Sequence, residues 1–235
     1  MTIVELRPHL YRLILGRYQA YLWRDQDSVT LVDTGEAGSG TVIAGLLREI
    51  GLAPSDVDRV VLTHFHDDHV GSAAEIASWG DVEIVTHTAE APIIRGERPG
   101  PAPVLNDFER ELLERVAAGL PSAPPVRVDR EVRDGDVLDI GGGARVISTP
   151  GHTDGSIALY LPEHGVLLTG DIAAEYEGEI ILGPFNLDPA LAAESFRRLA
   201  ELDVDVVGFG HGEPVLRDGG ALLRRAAAAL DQGAG

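Results

Sequence analysis

The chain of 235 residues is strongly acidic, with 38 aspartate and glutamate residues against 19 basic residues and a formal net charge of −19. This charge argues against nucleic acid and anionic membrane surfaces as partners, because both require a basic protein surface, and a small-molecule substrate is expected instead. Cysteine and lysine are absent, which excludes disulfides, thiolate metal ligands and Schiff-base chemistry.

The length and the 44% content of hydrophobic residues predict one globular domain spanning residues 1–235. No apolar run approaches the roughly 18 residues of a transmembrane helix. The first residues lack the ordered charged, apolar and small-residue regions of a signal peptide. The expected location is therefore the cytoplasm. The sequence is compatible with a homodimer but does not indicate one.

The predicted elements alternate between strands and helices, and mixed β with α structure occurs twice along the chain. The first half predicts strands at 4–6, 10–15, 19–23 and 29–32, a helix over 41–50, a strand at 58–62, a helix over 70–78, a strand at 82–85 and a helix over 105–118. The second half predicts strands at 126–128, 137–140, 144–148, 157–161 and 166–169, a helix from Asp188-Pro189, a strand at 204–209 and a helix over 221–230. Two β-sheets packed face to face with helices outside would satisfy this order.

The most distinctive stretch lies between the strand that ends at Thr63 and the helix predicted from Val70. Three of the eight histidines and two aspartates fall within the six positions from His64 to His69. On extended backbone His64 and His66 would point the same way, because side chains alternate along a strand. Imidazole and carboxylate groups are ligands for zinc, iron or manganese, and this spacing favours a two-metal site.

Three further ligand-type residues each follow a predicted strand and stand beside glycine. They are His152 in Thr-Pro-Gly-His-Thr, Asp171 in Thr-Gly-Asp and His211 in Gly-Phe-Gly-His-Gly. Glycine permits a tight turn and a close approach of the backbone. The recurrence of strand, glycine and ligand predicts that these residues belong to the same metal centre as the 64–69 stretch.

Taken together, these motifs resemble the ligand set of the metallo-β-lactamase-fold hydrolase superfamily. The set reads His64-x-His66-x-Asp68-His69, then His152, Asp171 and His211, and Leu31-Val32-Asp33-Thr34-Gly35 is similar to the family's early strand and turn. The resemblance extends from about residue 33 to residue 211. It implies an α+β fold, the αββα four-layer sandwich in which two mixed β-sheets are flanked by helices.

The resemblance also implies how the ligands divide between two divalent metal ions. The first metal would be held by His64, His66 and His152, the second by Asp68, His69 and His211, and both by Asp171. Zinc is the default for nitrogen and oxygen donors, and iron and manganese suit the same donors. A metal-bridging hydroxide would then attack the carbonyl of a small ester, lactone or thioester.

Three residues receive further candidate roles. Asp68 is a candidate for orienting the hydroxide or carrying a proton. Tyr176 is a candidate for assisting the substrate carbonyl, because a tyrosine soon after the bridging aspartate does so in acyl-homoserine lactonases. Asp33 is a candidate acceptor for a ligand imidazole, with turn capping as the alternative. Residues 95–103 and 182–186 are candidate walls of a substrate site.

Other functions on the same fold remain as alternatives. β-Lactamases with a cysteine ligand are excluded, and Asp171 counts against those with an all-histidine second site, although β-lactam hydrolysis stays an alternative. A sulfur dioxygenase would use one iron held by two histidines and one aspartate. A non-catalytic binding protein would be expected to have lost ligands, whereas this chain has the complete set. The resemblance is to small single-domain esterases and lactonases. Glyoxalase II-like thioesterases share the same ligand set but add a C-terminal helical domain.

Overall fold

The structure, a computed structural model, describes residues 1–232. Two compact units divide the chain: unit 1 consists of residues 1–100 and 119–132, and unit 2 of residues 101–118 and the described residues from 133 onward. The single domain expected from the length stays a prediction. Within residues 1–232, no helix is both long enough and apolar enough to cross a membrane.

Unit 1 contains a seven-stranded mixed sheet in which the strands lie side by side in chain order. The strands are β1 (Thr2–Arg7), β2 (Leu10–Leu15), β3 (Tyr18–Arg24), β4 (Val29–Val32), β5 (Arg59–Val61), β6 (Glu83–His87) and β7 (Arg130–Val132). The first four strands pair antiparallel, and β4 to β7 pair parallel. Short turns suffice for antiparallel neighbours, whereas parallel neighbours require longer crossovers, and here these crossovers contain the helices of the unit.

The helices of unit 1 are α1 (Gly40–Glu49), α2 (Asp67–Val70), α3 (Ala73–Ile76) and α4 (Ala91–Ile94). Helix α1 buries Ile43 and Leu47 in the same apolar core as the strand residues Leu22, Leu31 and Val60. The predicted helix over 41–50 is therefore confirmed. Its apolar side faces the core because its hydrophobic residues recur with the helical period.

The single helix predicted over 70–78 was wrong in its extent. Helical structure begins earlier, at Asp67, and is divided into α2 and α3 at Gly71 and Ser72. A Cβ atom at Gly71 would lie 2.3 Å from the Ala37 backbone nitrogen, so two backbone segments touch at this point. The division therefore follows from a tertiary contact that only glycine permits.

Unit 2 contains a five-stranded mixed sheet with strand order β14-β11-β10-β9-β8, and a separate hairpin of β12 and β13. The strands are β8 (Val137–Leu138), β9 (Ala144–Ser148), β10 (Ile157–Leu161), β11 (Val166–Leu168), β12 (Ala173–Tyr176), β13 (Glu179–Leu182) and β14 (Val206–Gly208). Its helices are α5 (Asp107–Val116), α6 (Pro189–Ala200) and α7 (Gly219–Gln232). The hairpin was not predicted from the sequence.

Helix α6 begins as the sequence predicts. The Asp188 side chain accepts hydrogen bonds from the backbone nitrogens of Ala190 and Leu191, at 3.1 and 3.0 Å, and Pro189 occupies the first helical position. This cap satisfies amide groups that have no partner within the helix. The helix then buries Phe196 and other apolar side chains in the core of unit 2.

The strand predicted over 126–128 was wrong. Val126 and Val128 are buried while Arg127 is exposed, which is the alternation of a strand. The Val126 backbone nitrogen, however, donates to the carbonyl oxygen of Ile94 at the end of α4, at 3.1 Å. The Arg127 guanidinium donates to two further backbone carbonyls. This segment is therefore extended without a partner strand, and β7 begins only at Arg130.

Candidate metal centre

In unit 1, four ligand-type residues lie at the junction of β5 and α2. His64 and His66 stand on the extended segment after the strand, and His66 is the N-cap residue of α2, with φ −63° and ψ 144°. Asp68 and His69 lie inside α2, ahead of the helix start predicted at Val70. The junction is thus a strand-to-helix connection as expected, with its second half already helical.

The imidazole rings of the two histidines on the extended segment face each other through different nitrogen atoms. His64 Nε2 lies 2.9 Å from His66 Nδ1. On the helical side, His69 Nε2 lies 3.9 Å from Asp68 Oδ2. His64 is fully buried and His69 is 1% exposed. Two donor atoms at such a separation can bind the same cation. His64 and His66 could therefore hold one cation, and Asp68 and His69 another, as nitrogen and oxygen ligands do.

Asp33 fixes the orientation of this group. Its Oδ2 lies 2.8 Å from His69 Nδ1 and accepts a hydrogen bond of 2.8 Å from the Thr63 hydroxyl. Its Oδ1 accepts from the Thr63 backbone nitrogen at 2.8 Å. The Thr63 oxygen in turn lies 3.0 Å from His64 Nδ1. These contacts assign a proton to Nδ1 of both imidazoles and leave Nε2 of each as the metal-binding nitrogen.

The backbone conformation of Asp33 is uncommon, with φ +63° in a residue that is 4% exposed. Aspartate tolerates this left-handed region better than most residues other than glycine, although the conformation still has an energetic cost. The hydrogen bond to a candidate ligand imidazole, considered above for Asp33, is present in the structure. The strained backbone aims the carboxylate at His69 and Thr63.

Glu90 supports the same junction, and sequence reasoning missed it. Its side chain is fully buried, and Oε2 accepts a hydrogen bond of 2.8 Å from the Phe65 backbone nitrogen, between the two extended histidines. Residue 65 contributes a backbone donor, which no side-chain pattern reveals. The sequence therefore carries no signal that would have identified Glu90.

Tyr18 is a second residue that sequence reasoning missed. Burial raises the pKa of Tyr18, the Asp68 and Glu36 carboxylates raise it further, and the guanidinium of Arg17 lowers it. The phenol therefore stays protonated at neutral pH. Tyr18 therefore contributes a neutral hydroxyl whose ionisation the Asp68 carboxylate disfavours.

In unit 2, His152, Asp171 and His211 come together. Asp171 Oδ2 lies 3.3 Å from His211 Nε2 and 3.9 Å from His152 Nε2. His152 is buried, whereas the His211 side chain is 37% exposed. One carboxylate oxygen therefore stands beside two imidazole nitrogens, an arrangement in which a carboxylate can bridge two cations.

Glycine makes the backbone turns of this group possible. At Gly151, before His152, φ is +118° and a Cβ atom would lie 2.1 Å from the Ala192 backbone nitrogen of α6. The loops that carry Asp171 and His211 are joined by a hydrogen bond of 2.9 Å from the Gly210 nitrogen to the Gly170 oxygen. The glycine beside His152 thus has a geometric cause.

Asn186 orients His152. Its Oδ1 lies 3.3 Å from His152 Nδ1, and its amide nitrogen donates to the Gly183 carbonyl oxygen at 2.7 Å. The second contact fixes which way the amide lies, so that Oδ1 accepts from the imidazole Nδ1–H and Nε2 is left for a metal. The role of the 182–186 segment as a substrate wall stays a prediction, and the structure shows that its Asn186 positions a candidate ligand.

Replacing Asn186 with alanine is expected to lower metal affinity by about ten-fold or more, because the outer partners of ligand imidazoles typically contribute 10–100-fold. Metal affinity is measured by titration, and thermal unfolding of the metal-free protein shows whether the substitution also destabilises the fold. The matched control is Asn106→Ala, which removes an exposed helix cap of α5 in the same unit. An unchanged metal affinity in Asn186→Ala would contradict the positioning role.

Tyr176 lies at the end of β12, opposite Glu179 in the hairpin, and 62% of its side chain is exposed. Its candidate role at the substrate carbonyl stays a prediction.

The donors described in the two units are imidazole nitrogens and carboxylate oxygens. This donor chemistry fits divalent cations such as zinc, iron or manganese.

Comparison with known proteins identifies the family. Residues 14–211 match the profile of the Metallo-beta-lactamase superfamily. The chain is 30% identical over 221 residues to the probable metallo-hydrolase YflN of Bacillus subtilis (strain 168), covering 86% of this chain and 82% of that protein. It is 35% identical over 127 residues to the acyl-coenzyme A thioesterase MBLAC2 of Gallus gallus, covering 52% of this chain and 43% of that protein.

Among solved structures, the metallo-beta-lactamase family protein TTHA1429 from Thermus thermophilus matches with a TM-score of 0.71 and 30% identity, over 98% of this chain and 80% of that chain. The expected α+β fold, with two mixed β-sheets and helices, is thereby confirmed. The matched range contains Asp33 and ends at His211, so it includes every candidate ligand. The chain belongs to the metallo-beta-lactamase superfamily.

Proposed function

We propose that this chain is a binuclear, zinc-dependent hydrolase of small carbonyl esters, lactones or thioesters. The observation that carries the proposal is Asp171, whose Oδ2 lies 3.3 Å from His211 Nε2 and 3.9 Å from His152 Nε2. Two neighbouring cations repel each other, and a shared anion offsets that repulsion. Membership of a metallo-hydrolase family supports the same reaction class.

The proposed ligand assignment follows the family motif. The first cation is held by His64, His66 and His152, the second by Asp68, His69 and His211, and both by Asp171. The geometry within each unit supports this division, since His64 and His66 present facing nitrogens and Asp171 stands beside two imidazoles. Zinc is the default for these donors, and iron and manganese are the other metals that they suit.

When bound, the two cations would lower the pKa of a coordinated water to about 7 and polarise the substrate carbonyl. The chain's own residues hold the donors in fixed directions: Asp33 and Thr63 orient two imidazoles of unit 1, and Asn186 orients one of unit 2. Asp68 is half-buried beside His69 and is proposed to take up the proton that hydrolysis releases. Tyr176 is proposed to contact the substrate carbonyl.

Thioesters are the first substrates to test within this class. The similarity to MBLAC2, which is named as an acyl-coenzyme A thioesterase, supports them. The formal charge of −19 disfavours a leaving group as anionic as coenzyme A, because the protein's field repels anions. A thioester with a neutral leaving group is therefore the proposed substrate type.

The test combines metal analysis with a substrate panel. Protein produced without added metal is analysed by elemental mass spectrometry, and a panel of ester, lactone, thioester and β-lactam substrates is assayed before and after chelation. We expect two zinc ions per chain and turnover of one carbonyl class, lost on chelation and restored by zinc. One iron ion per chain without any hydrolysis would contradict the proposal and favour the sulfur dioxygenase alternative.

A further inference from the structure

A half-open cavity of about 270 Å³ lies in unit 1. Most of its wall is apolar and comes from the ligand stretch, from α4 and from the loop before β7, represented by Phe65, Val70, Ile93, Ile94 and Ala123. Two polar residues are also part of the wall: His66, a ligand of the first cation in the proposed assignment, and Asp67. The cavity thus combines an apolar lining with a candidate metal ligand.

Contacts within the unit hold these walls in place. The Phe65 backbone is bound to buried Glu90, and the Ala123 nitrogen donates to Asp67 Oδ1 at 2.7 Å. A Cβ atom at Gly100 would lie 2.4 Å from the Phe65 ring, so the backbone at residue 100 passes directly against that ring. The cavity is therefore preformed, which is usual for small-molecule sites.

We propose that this cavity binds the apolar acyl chain of the substrate, with the scissile carbonyl on the side of His66. The inference rests on the proposed hydrolase function. It assigns the acyl group because most of the lining side chains are apolar, and an apolar chain gains free energy when it is buried against them.

The volume of the cavity sets the size of the acyl group. An apolar cavity of about 150 Å³ accommodates benzene, so a volume near 270 Å³ takes a chain of roughly six to ten carbons. Complete drug-sized ligands occupy pockets of about 300–1,000 Å³. The cavity therefore accommodates one group of the substrate and leaves the remainder outside.

The expected signature is a dependence of turnover on chain length. We propose to measure it with N-acetylcysteamine thioesters of acetic, butyric, hexanoic, octanoic and dodecanoic acids, which share one neutral leaving group. Each methylene that enters the cavity is expected to raise kcat/KM by about four-fold, until the cavity is full. The gain is expected in KM, because burial of a chain remote from the reacting atoms stabilises substrate and transition state alike.

Ala123→Leu tests the cavity directly, because the larger side chain adds three carbons to the wall while the backbone hydrogen bond to Asp67 can persist. We expect the ratio of kcat/KM for hexanoyl over acetyl thioester to fall by about ten-fold or more. Ala228→Leu is the matched control, since Ala228 is exposed on α7 and lies outside the cavity. Metal content and thermal unfolding of both variants show whether they fold and bind metal normally.

A second readout does not depend on turnover. In zinc-loaded protein with isoleucine methyl groups labelled, 1-hexanol is expected to shift the resonances of Ile93 and Ile94 and to leave Ile147, in the core of unit 2, unchanged. Ala123→Leu is expected to weaken this shift. These shifts together with the chain-length dependence would support the acyl subsite.

The outcomes separate this inference from the proposed function. If thioesters are hydrolysed at rates independent of chain length and hexanol leaves Ile93 unchanged, the hydrolase stands and the acyl subsite is overturned. If acetate esters of lengthening alcohols show the gain in place of the acyl series, the assignment to the acyl side is overturned. If no ester, lactone or thioester is hydrolysed, the proposed function fails, and the acyl assignment fails with it.

Discussion

Asp171→Asn is expected to reduce the metal content from two ions per chain to one or fewer and to lower kcat/KM by about 10³-fold or more. The substitution preserves the shape of the side chain but removes the anion that stands beside His152 and His211. Without this anion, nothing offsets the repulsion between two neighbouring cations, so the second cation is lost. Bound cations stabilise the transition state by several kcal/mol, and each 1.4 kcal/mol changes the rate about ten-fold.

The measurement is elemental analysis of the purified variant together with its kinetics on the best substrate of the panel. Asp203→Asn is the matched control, because Asp203 is an exposed aspartate of the same unit that takes no part in the ligand group. A variant that kept two ions per chain and full activity would show that Asp171 is not a bridging ligand. Thermal unfolding in the presence of chelator separates metal loss from misfolding.

Asp33→Ala is expected to lower the free energy of unfolding by about 3 kcal/mol and the metal affinity by about 10–100-fold. Removing the carboxylate leaves donors of Thr63 and His69 without their acceptor in the interior, at a cost of about 1–3 kcal/mol for each buried group. Alanine also accommodates a φ of +63° less readily than aspartate does. The loss of affinity follows from imidazoles that are no longer held in the ligand tautomer.

Asp33→Asn separates the two effects. Asparagine accepts the left-handed backbone, and its side-chain oxygen can replace only part of the acceptor capacity of a carboxylate. We therefore expect a smaller loss of stability than in Asp33→Ala but a similar loss of metal affinity. Chemical denaturation in chelator and competition titration with zinc measure the two quantities, with the exposed Asp81→Ala as control. Equal metal affinity in all these proteins would contradict the orienting role.

The candidate ligands could be selected from the sequence because each occupies a local pattern with a physical meaning. His64 and His66 follow a buried strand at a spacing of two, and His152, Asp171 and His211 each stand beside glycine at the end of a strand. The structure confirms the strands at these places and brings the members of each unit close together. Strand ends fix where such side chains lie, so local patterns were sufficient to predict that the candidates within each unit lie close together.

The supporting residues could not be predicted in the same way. Glu90 binds the backbone nitrogen of Phe65, and Asn186 binds His152, across 25 and 34 positions of sequence. Neither contact leaves a periodic or compositional trace, because its partner is set by the tertiary fold. The break between α2 and α3 has the same origin, since it depends on the backbone contact at Gly71.

At residues 126–128 the sequence pattern was present but the predicted strand was wrong. Its alternation of buried valine and exposed arginine satisfies the criterion for a strand, yet its backbone donor is satisfied by the end of α4. Alternation reports which side chains are buried and does not report which backbone partner is available. The hairpin of β12 and β13 was missed because Ala173–Tyr176 lacks that alternation, with burial on consecutive residues.

The hydrogen bonds of Asp33 reach one imidazole from each proposed cation set, His69 directly and His64 through Thr63. Evolutionary loss of either cation would therefore not release this aspartate from selection. A descendant that came to work with a single metal, whichever it retained, would still need the same carboxylate to align a remaining histidine. Position 33 is thus expected to drift more slowly than the ligands themselves when lineages change their metal stoichiometry.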